Sequence, residues 1–166
     1  MVRDKLKEAL KIIVNGSEQE MIDFVAKFRA EFMQMPFHEV AFPRGISGLT
    51  EYTSSEGEPK KGTPIQVRGA IVYNRLLRDH GIRNFEPVYE GDKAKFAYLT
   101  WPNPAHSHVI TVPGMLPREL GLDEYVDRET QFQKAFVDSI EDLLTAVGWH
   151  YEETNTVMGL FTSAGE

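Results

Sequence analysis

Ile65-Gln66-Val67-Arg68-Gly69-Ala70-Ile71-Val72-Tyr73-Asn74-Arg75-Leu76-Leu77-Arg78 decides how this chain of 166 residues is read. The first residues alternate apolar and polar, which predicts a short strand opening at Ile65. Beyond Gly69 the apolar residues recur at helical spacing, which predicts a helix ending near Gly81. The charged side chains in the stretch, Arg68, Arg75 and Arg78, are all basic, although the whole chain has a formal net charge of −7. Arg75 and Arg78 are three apart and share one face of that helix.

The charge is unevenly spread. Residues 60–95 hold 8 basic and 4 acidic side chains, whereas residues 119–166 hold 2 basic and 11 acidic. Between them, residues 96–118 carry Arg118 and no carboxylate. A basic segment can bind phosphate beside an acidic tail, because screening limits the reach of distant charge to about 10 Å. Lys60, Lys61, Arg68, Arg75, Arg78, Arg83, Lys93 and Lys95 are interleaved with Tyr73, Tyr89 and Tyr98. Guanidinium and ammonium groups suit phosphate oxygens, and such contacts position a nucleic acid without reading its bases. Gly69 would let the backbone approach a strand closely. On charge alone, pairing of these cations with the acidic C-terminal region is an equal alternative.

On either side the pattern is mixed. Val2 to Asn15 and Ser17 to about Met33 read as two helices in an antiparallel hairpin. Ser17 and Glu20 have the spacing of a capping box. Met21, Phe24, Val25, Phe28 and Phe32 form a stripe that predicts core. Phe37 to Phe42 reads as a short strand, residues 43–64 as a long loop, and Asn84 to Leu99 as a hairpin turning at Glu90-Gly91-Asp92. Val109 to Val112 reads as a strand, Leu116 to Gly121 as a helical turn, and Asp123 to Val147 as a helix or broken helix pair. The fold class is α+β: a helical hairpin and C-terminal helices packed around a small antiparallel sheet.

Several chemistries find little support. There is no cysteine, hence no disulfide framework and no thiolate zinc site. No apolar run is long enough to span a membrane, so no membrane partner is expected. His106 and His108 would share a strand face but have no third ligand near in sequence. The acids Glu119, Asp123, Glu124, Asp127, Glu141 and Asp142 flank helix starts, where the helix dipole accounts for them. No nucleophile motif, phosphate loop or dinucleotide fingerprint occurs, which leaves no catalytic residue to name.

The opening stretch resembles the centre of the thumb of B-family DNA polymerases of the T-even bacteriophage type. There Ile or Val, Arg-Gly, two or three apolar residues and Tyr-Asn-Arg follow one another. Here Pro64 to Gly69 and Tyr73-Asn74-Arg75 supply that pattern. The likeness covers essentially the whole chain. Lys5 to Lys11 and Phe28 to Phe32 resemble the two opening helices, and Val88 to Lys93 the following hairpin. Trp101-Pro102 resembles a later turn, and Asp123 to Asp127 with the helix after it the last helices.

The resemblance implies a thumb domain over residues 1–153 that grips the minor-groove side and backbone of primer–template DNA. Arg68, Gly69, Tyr73 and Asn74 would lie at or support that surface, and Lys61 would be a basic loop residue before it. Lys60, Arg75, Arg78, Lys93 and Lys95 join them on charge and spacing. Residues 154–166 would be a flexible tail whose Val157, Met158, Leu160 and Phe161 dock into a sliding clamp. The tail has a single aromatic there and runs on through Thr162 to Glu166, which departs from the family pattern. The other expected partners are the remaining polymerase domains, in the cytoplasm of a host cell if the chain is phage-encoded. No cofactor is expected in this piece, because the two divalent metal ions, magnesium, belong to a palm that it lacks. The chain would be a shortened piece or the product of a split polymerase gene, inactive alone. The rival reading is a protein–protein adapter that assembles a split polymerase or binds the clamp with little DNA affinity of its own.

Overall fold

The computed structural model describes residues 1–151 and 161–163. The fold is α+β, as the sequence predicts. In chain order the elements are α1 (Val2–Asn15), α2 (Glu18–Met33), α3 (Phe37–Val40), β1 (Phe42–Gly45), α4 (Leu49–Tyr52), α5 (Ile65–Asp79), β2 (Lys93–Tyr98), β3 (Val109–Val112), α6 (Arg128–Phe132), α7 (Asp138–Ala146), β4 (Trp149–Tyr151) and β5 (Phe161–Ser163). Short 3-10 turns cover Arg118–Leu120 and Asp123–Tyr125. Met1–Gln34 and Phe132–Glu166 make one compact unit, and Met35–Gln131 a second.

In the first unit α1 and α2 form the expected hairpin, turned at Gly16-Ser17. Ser17 Oγ accepts the Glu20 N–H at 3.2 Å and satisfies one orphan donor of the helix start. Met21, Val25, Phe28 and Phe32 are buried, so the stripe is core. The Phe28 ring meets Phe136 edge-on at 4.9 Å and Phe132 at 5.5 Å. Phe132, Phe136, Ile140 and Leu144 recur every fourth residue and are all buried. A strict four-residue repeat drifts by about 40° per step on an α-helix of 3.6 residues per turn. The wider π turn at Gln133–Val137, between α6 and α7, offsets part of that drift. Gly148, at φ 79°, ends the helix, and β4 pairs antiparallel with β5. Of the predicted clamp peptide, Val157, Met158 and Leu160 lie outside the described residues. The backbone of Phe161 pairs with that of Tyr151.

The second unit is an antiparallel sheet in the order β1-β2-β3, with α5 lying along β3. Phe42 stands opposite Phe96, and Phe96 opposite Thr111. Val67, Ala70, Ile71, Phe96, Ala97, Ile110 and Val112 are in its core.

Four sequence expectations are corrected here. No strand opens at Ile65. The helix begins there, with the Arg68 N–H donating to the Pro64 carbonyl at 2.8 Å. Three alternating residues cannot distinguish a strand from a helix buried around most of its circumference, and α5 is such a helix. Residues 37–40 are a helical turn, not a strand. Pro36 precedes it and Phe37 and Val40 are both buried, three apart. Residues 43–64 are not one long loop. They contain most of β1, then α4, then a Thr53–Pro59 bridge. The start of α4 is held by Glu90, whose carboxylate accepts the N–H groups of Gly48 and Leu49 at 2.8 Å each. Finally, β2 pairs with β1 and β3, and not with Val88-Tyr89. The backbone of Val88 is already taken: Asn74 Oδ1 accepts its N–H at 2.8 Å and Asn74 Nδ2 donates to its carbonyl at 2.9 Å.

Candidate nucleic-acid interface

All eight cations singled out by the sequence lie in the second unit; Arg83 is exposed beyond the end of α5, and the other seven fall into three groups. The first is at the start of α5. Arg68 Nη2 lies 3.5 Å from the Lys60 carbonyl, and Lys60 Nζ donates to the Glu51 carbonyl at 2.7 Å. Lys61 beside them is exposed. Carbonyl partners hold these side chains without neutralising them, so their charge stays available to an anion.

The second group is Arg75 and Arg78, one turn apart. With Leu49, Thr50, Thr53, Gly57, Ile71 and Asn74 they line a cleft of about 220 Å³. Arg75 is only 17% exposed. Its Nη1 lies 2.5 Å and 2.7 Å from the two oxygens of Glu58, and its Nη2 donates to the Ala105 carbonyl at 2.9 Å. That arrangement neutralises the guanidinium and ties the 54–58 turn and the 101–108 loop to α5. Arg78 is exposed, with Asp79 at 3.5 Å.

The third group is Lys93 and Lys95 on β2. Register and pleat put both on the same face as Gly45 and Pro43. They border a groove of about 440 Å³ that His38, Pro113 and Met115 also line. Lys95 Nζ donates to the His38 carbonyl.

Of the remaining predicted residues of this unit, Gly69 and Tyr73 are interior and Asn74 is half-buried. Gly69 is buried against β3. A Cβ there would sit 2.8 Å from the Thr111 nitrogen and 2.9 Å from the Ile110 carbonyl carbon. Tyr73 is buried, its hydroxyl donating to the Glu86 carbonyl at 3.2 Å. Burial pushes its phenol up to about 12. Asn74 holds Val88, as described. These three support the α5 surface from behind.

Other residues that shape this unit carried no local signal. Glu58 and Glu90 read as loop carboxylates. Gln131, fully buried, accepts the Tyr98 N–H at 3.0 Å and donates to the Val40 carbonyl at 2.7 Å. Among the described residues, no three His, Cys, Asp or Glu side chains converge as metal ligands. No helix among them is long and apolar enough to cross a membrane.

No family model matches the chain. It is homologous to the DNA-directed DNA polymerase of Enterobacteria phage T4, with 26% identity over 164 residues. It is likewise homologous to that of Escherichia phage RB69, with 24% identity over 164 residues. Each alignment covers 96% of this chain and 18% of the polymerase, so the chain spans a small part of the length of these relatives. The resemblance read from the central stretch is borne out to that extent. A shorter likeness, 34% over 82 residues, joins 46% of this chain to 16% of a zinc finger CCCH domain-containing protein 34 of Oryza sativa subsp. japonica. A site made of three cysteines and a histidine has no counterpart in a chain without cysteine.

Proposed function

We propose that this chain is the thumb of a B-family replicative DNA polymerase and grips primer–template duplex through its phosphate backbone. The observation that carries this reading is the similarity, over 96% of this chain, to a segment of two phage DNA-directed DNA polymerases. The cationic groups around α5 supply a physical means. Lys60 and Arg68 lie near the start of α5 against carbonyls that leave their charge unspent, and Lys61 beside them is exposed. Contacts of that kind carry no base information, so the grip is independent of sequence and lets duplex slide as a primer grows. Nucleotidyl transfer, with its divalent metal ions, belongs in this reading to polymerase domains outside the chain, which are its partners. Val157, Met158, Leu160 and Phe161 are proposed as a sliding-clamp peptide on grounds of position and apolar character alone.

Fluorescence anisotropy with a labelled blunt duplex, across a salt series, tests the reading. Binding that weakens steeply with salt and is equal for unrelated sequences is the expected result. Tight binding of a polymerase domain or clamp with no duplex affinity at low salt would favour the adapter instead.

A further inference from the structure

The loop Trp101–His108 supplies none of the cations, yet it is firmly built. Asn103 is buried. Its Nδ2 donates to the carbonyls of Thr100 at 2.8 Å and Ser107 at 2.7 Å, and its Oδ1 accepts the Ala105 N–H at 3.0 Å. Ser107, also buried, donates to the Val109 carbonyl at 2.7 Å. Arg75 holds the Ala105 carbonyl from α5. His106 adopts a left-handed backbone, φ 48°, which is uncommon away from glycine.

This scaffold displays one large ring. Trp101 is 55% exposed. The His108 ring stands 4.9 Å from it at 31°, and the His106 ring 6.3 Å away at 68°. A tryptophan is highly buried on average, and tryptophans are enriched where proteins meet their partners.

We propose that Trp101, backed by His108, is a stacking platform for an unpaired nucleobase. The ligand class is single-stranded DNA. The inference rests on the DNA-binding reading above and extends it from duplex to single strand. A base stacks on any flat aromatic face, whatever its identity. Residues 93–118 contain no Asp or Glu to repel a polyanion; of the two acids before Tyr125, whose carbonyl Thr100 bonds, Asp123 is engaged by Arg128 at 3.4 Å and Glu124 is exposed. The rings beside Trp101 are imidazoles, which can hydrogen-bond to base edges or phosphate, and not aliphatic groups that would line an apolar protein anchor.

The test uses the full chain with Trp149→Phe, leaving Trp101 as the sole tryptophan, and two probes: a dT12 single strand and a blunt duplex. Trp101 fluorescence should be quenched by dT12 and little changed by duplex. By anisotropy, Trp101→Ala should bind dT12 about ten-fold more weakly. Its duplex affinity should be unchanged, and Trp101→Phe should keep most of the dT12 affinity. Circular dichroism checks that the variants are folded. If dT12 neither quenches nor loses affinity on Trp101→Ala while duplex still binds, the platform is wrong and the duplex grip stands. If dT12 binds with quenching and duplex does not, the platform stands and the grip is wrong. Binding of neither probe overturns both.

Discussion

Gly69 of α5 packs directly on the backbone of Thr111 in β3, where a Cβ would come within 2.8 Å of the Thr111 nitrogen. Thr111 cannot easily move aside, since its hydroxyl donates to the Gln66 carbonyl at 2.8 Å. Alanine is the better helix former by about 1 kcal/mol. The overlap with main-chain atoms costs more than that, of the order of 1–3 kcal/mol. Gly69→Ala should therefore lower stability, read as a smaller urea midpoint. An unchanged or higher midpoint would show that α5 does not sit this close.

Arg75 should behave as a structural cation. Half of its ion pair, Glu58, is well exposed, which discounts the pairing energy to about 1 kcal/mol. A double-mutant cycle with Arg75→Ala and Glu58→Ala should recover a coupling of that size. Arg68→Ala and Lys61→Ala should each lower the slope of log affinity against log salt for duplex by about 0.9, and Arg75→Ala should leave it nearly unchanged. Equal slope losses at all three positions would mean that Arg75 meets phosphate itself.

Asn74 gives a test of the packing behind that surface. Asn74→Ala leaves the N–H and carbonyl of buried Val88 without their partner. An unsatisfied buried polar group costs about 1–3 kcal/mol, so a loss in that range is expected on chemical denaturation. Faster hydrogen exchange at the Val88 amide should accompany it. An amide that stays as protected as in the parent chain would contradict the bidentate arrangement.

Tyr73 should make the fold sensitive to alkali. Its folded value of about 12 lies above the ordinary 10, so the folded state keeps its proton where the unfolded state loses it. The contribution is fully present below pH 10 and is lost as pH rises through 12, to a total of about 3 kcal/mol. Tyr73→Phe removes that titration. Its stability should fall less than that of the parent between pH 10 and 12, in guanidinium titrations at fixed pH. Parallel curves for the two proteins would refute the assignment.

Much of this architecture is written locally. The hairpin of α1 and α2, the Ser17 cap, the buried Phe stripe and β3 depend on neighbours within a turn or on a short apolar run, and all were legible. The central Arg-Gly and Tyr-Asn-Arg pattern also carried the likeness to phage DNA polymerases. The candidate interface was legible as composition, a basic segment in an acidic chain, but not as geometry. No local pattern separates Arg75, which Glu58 neutralises from 17 positions away, from Lys61, which is exposed.

What the sequence determined by itself is therefore the helical hairpin, the strand at 109–112, the charge distribution and the family likeness, because each is set by residues a few positions apart. Tertiary structure alone decided that residues 65–67 are helix, that β2 pairs with β1, that α4 starts on Glu90 and that Gln131 bridges Tyr98 and Val40. Those outcomes hinge on partners as far as 42 and 91 positions away. The reason is physical: a backbone group takes whichever partner the folded chain brings to it, and propensity yields when a buried donor or acceptor would otherwise go unpaired.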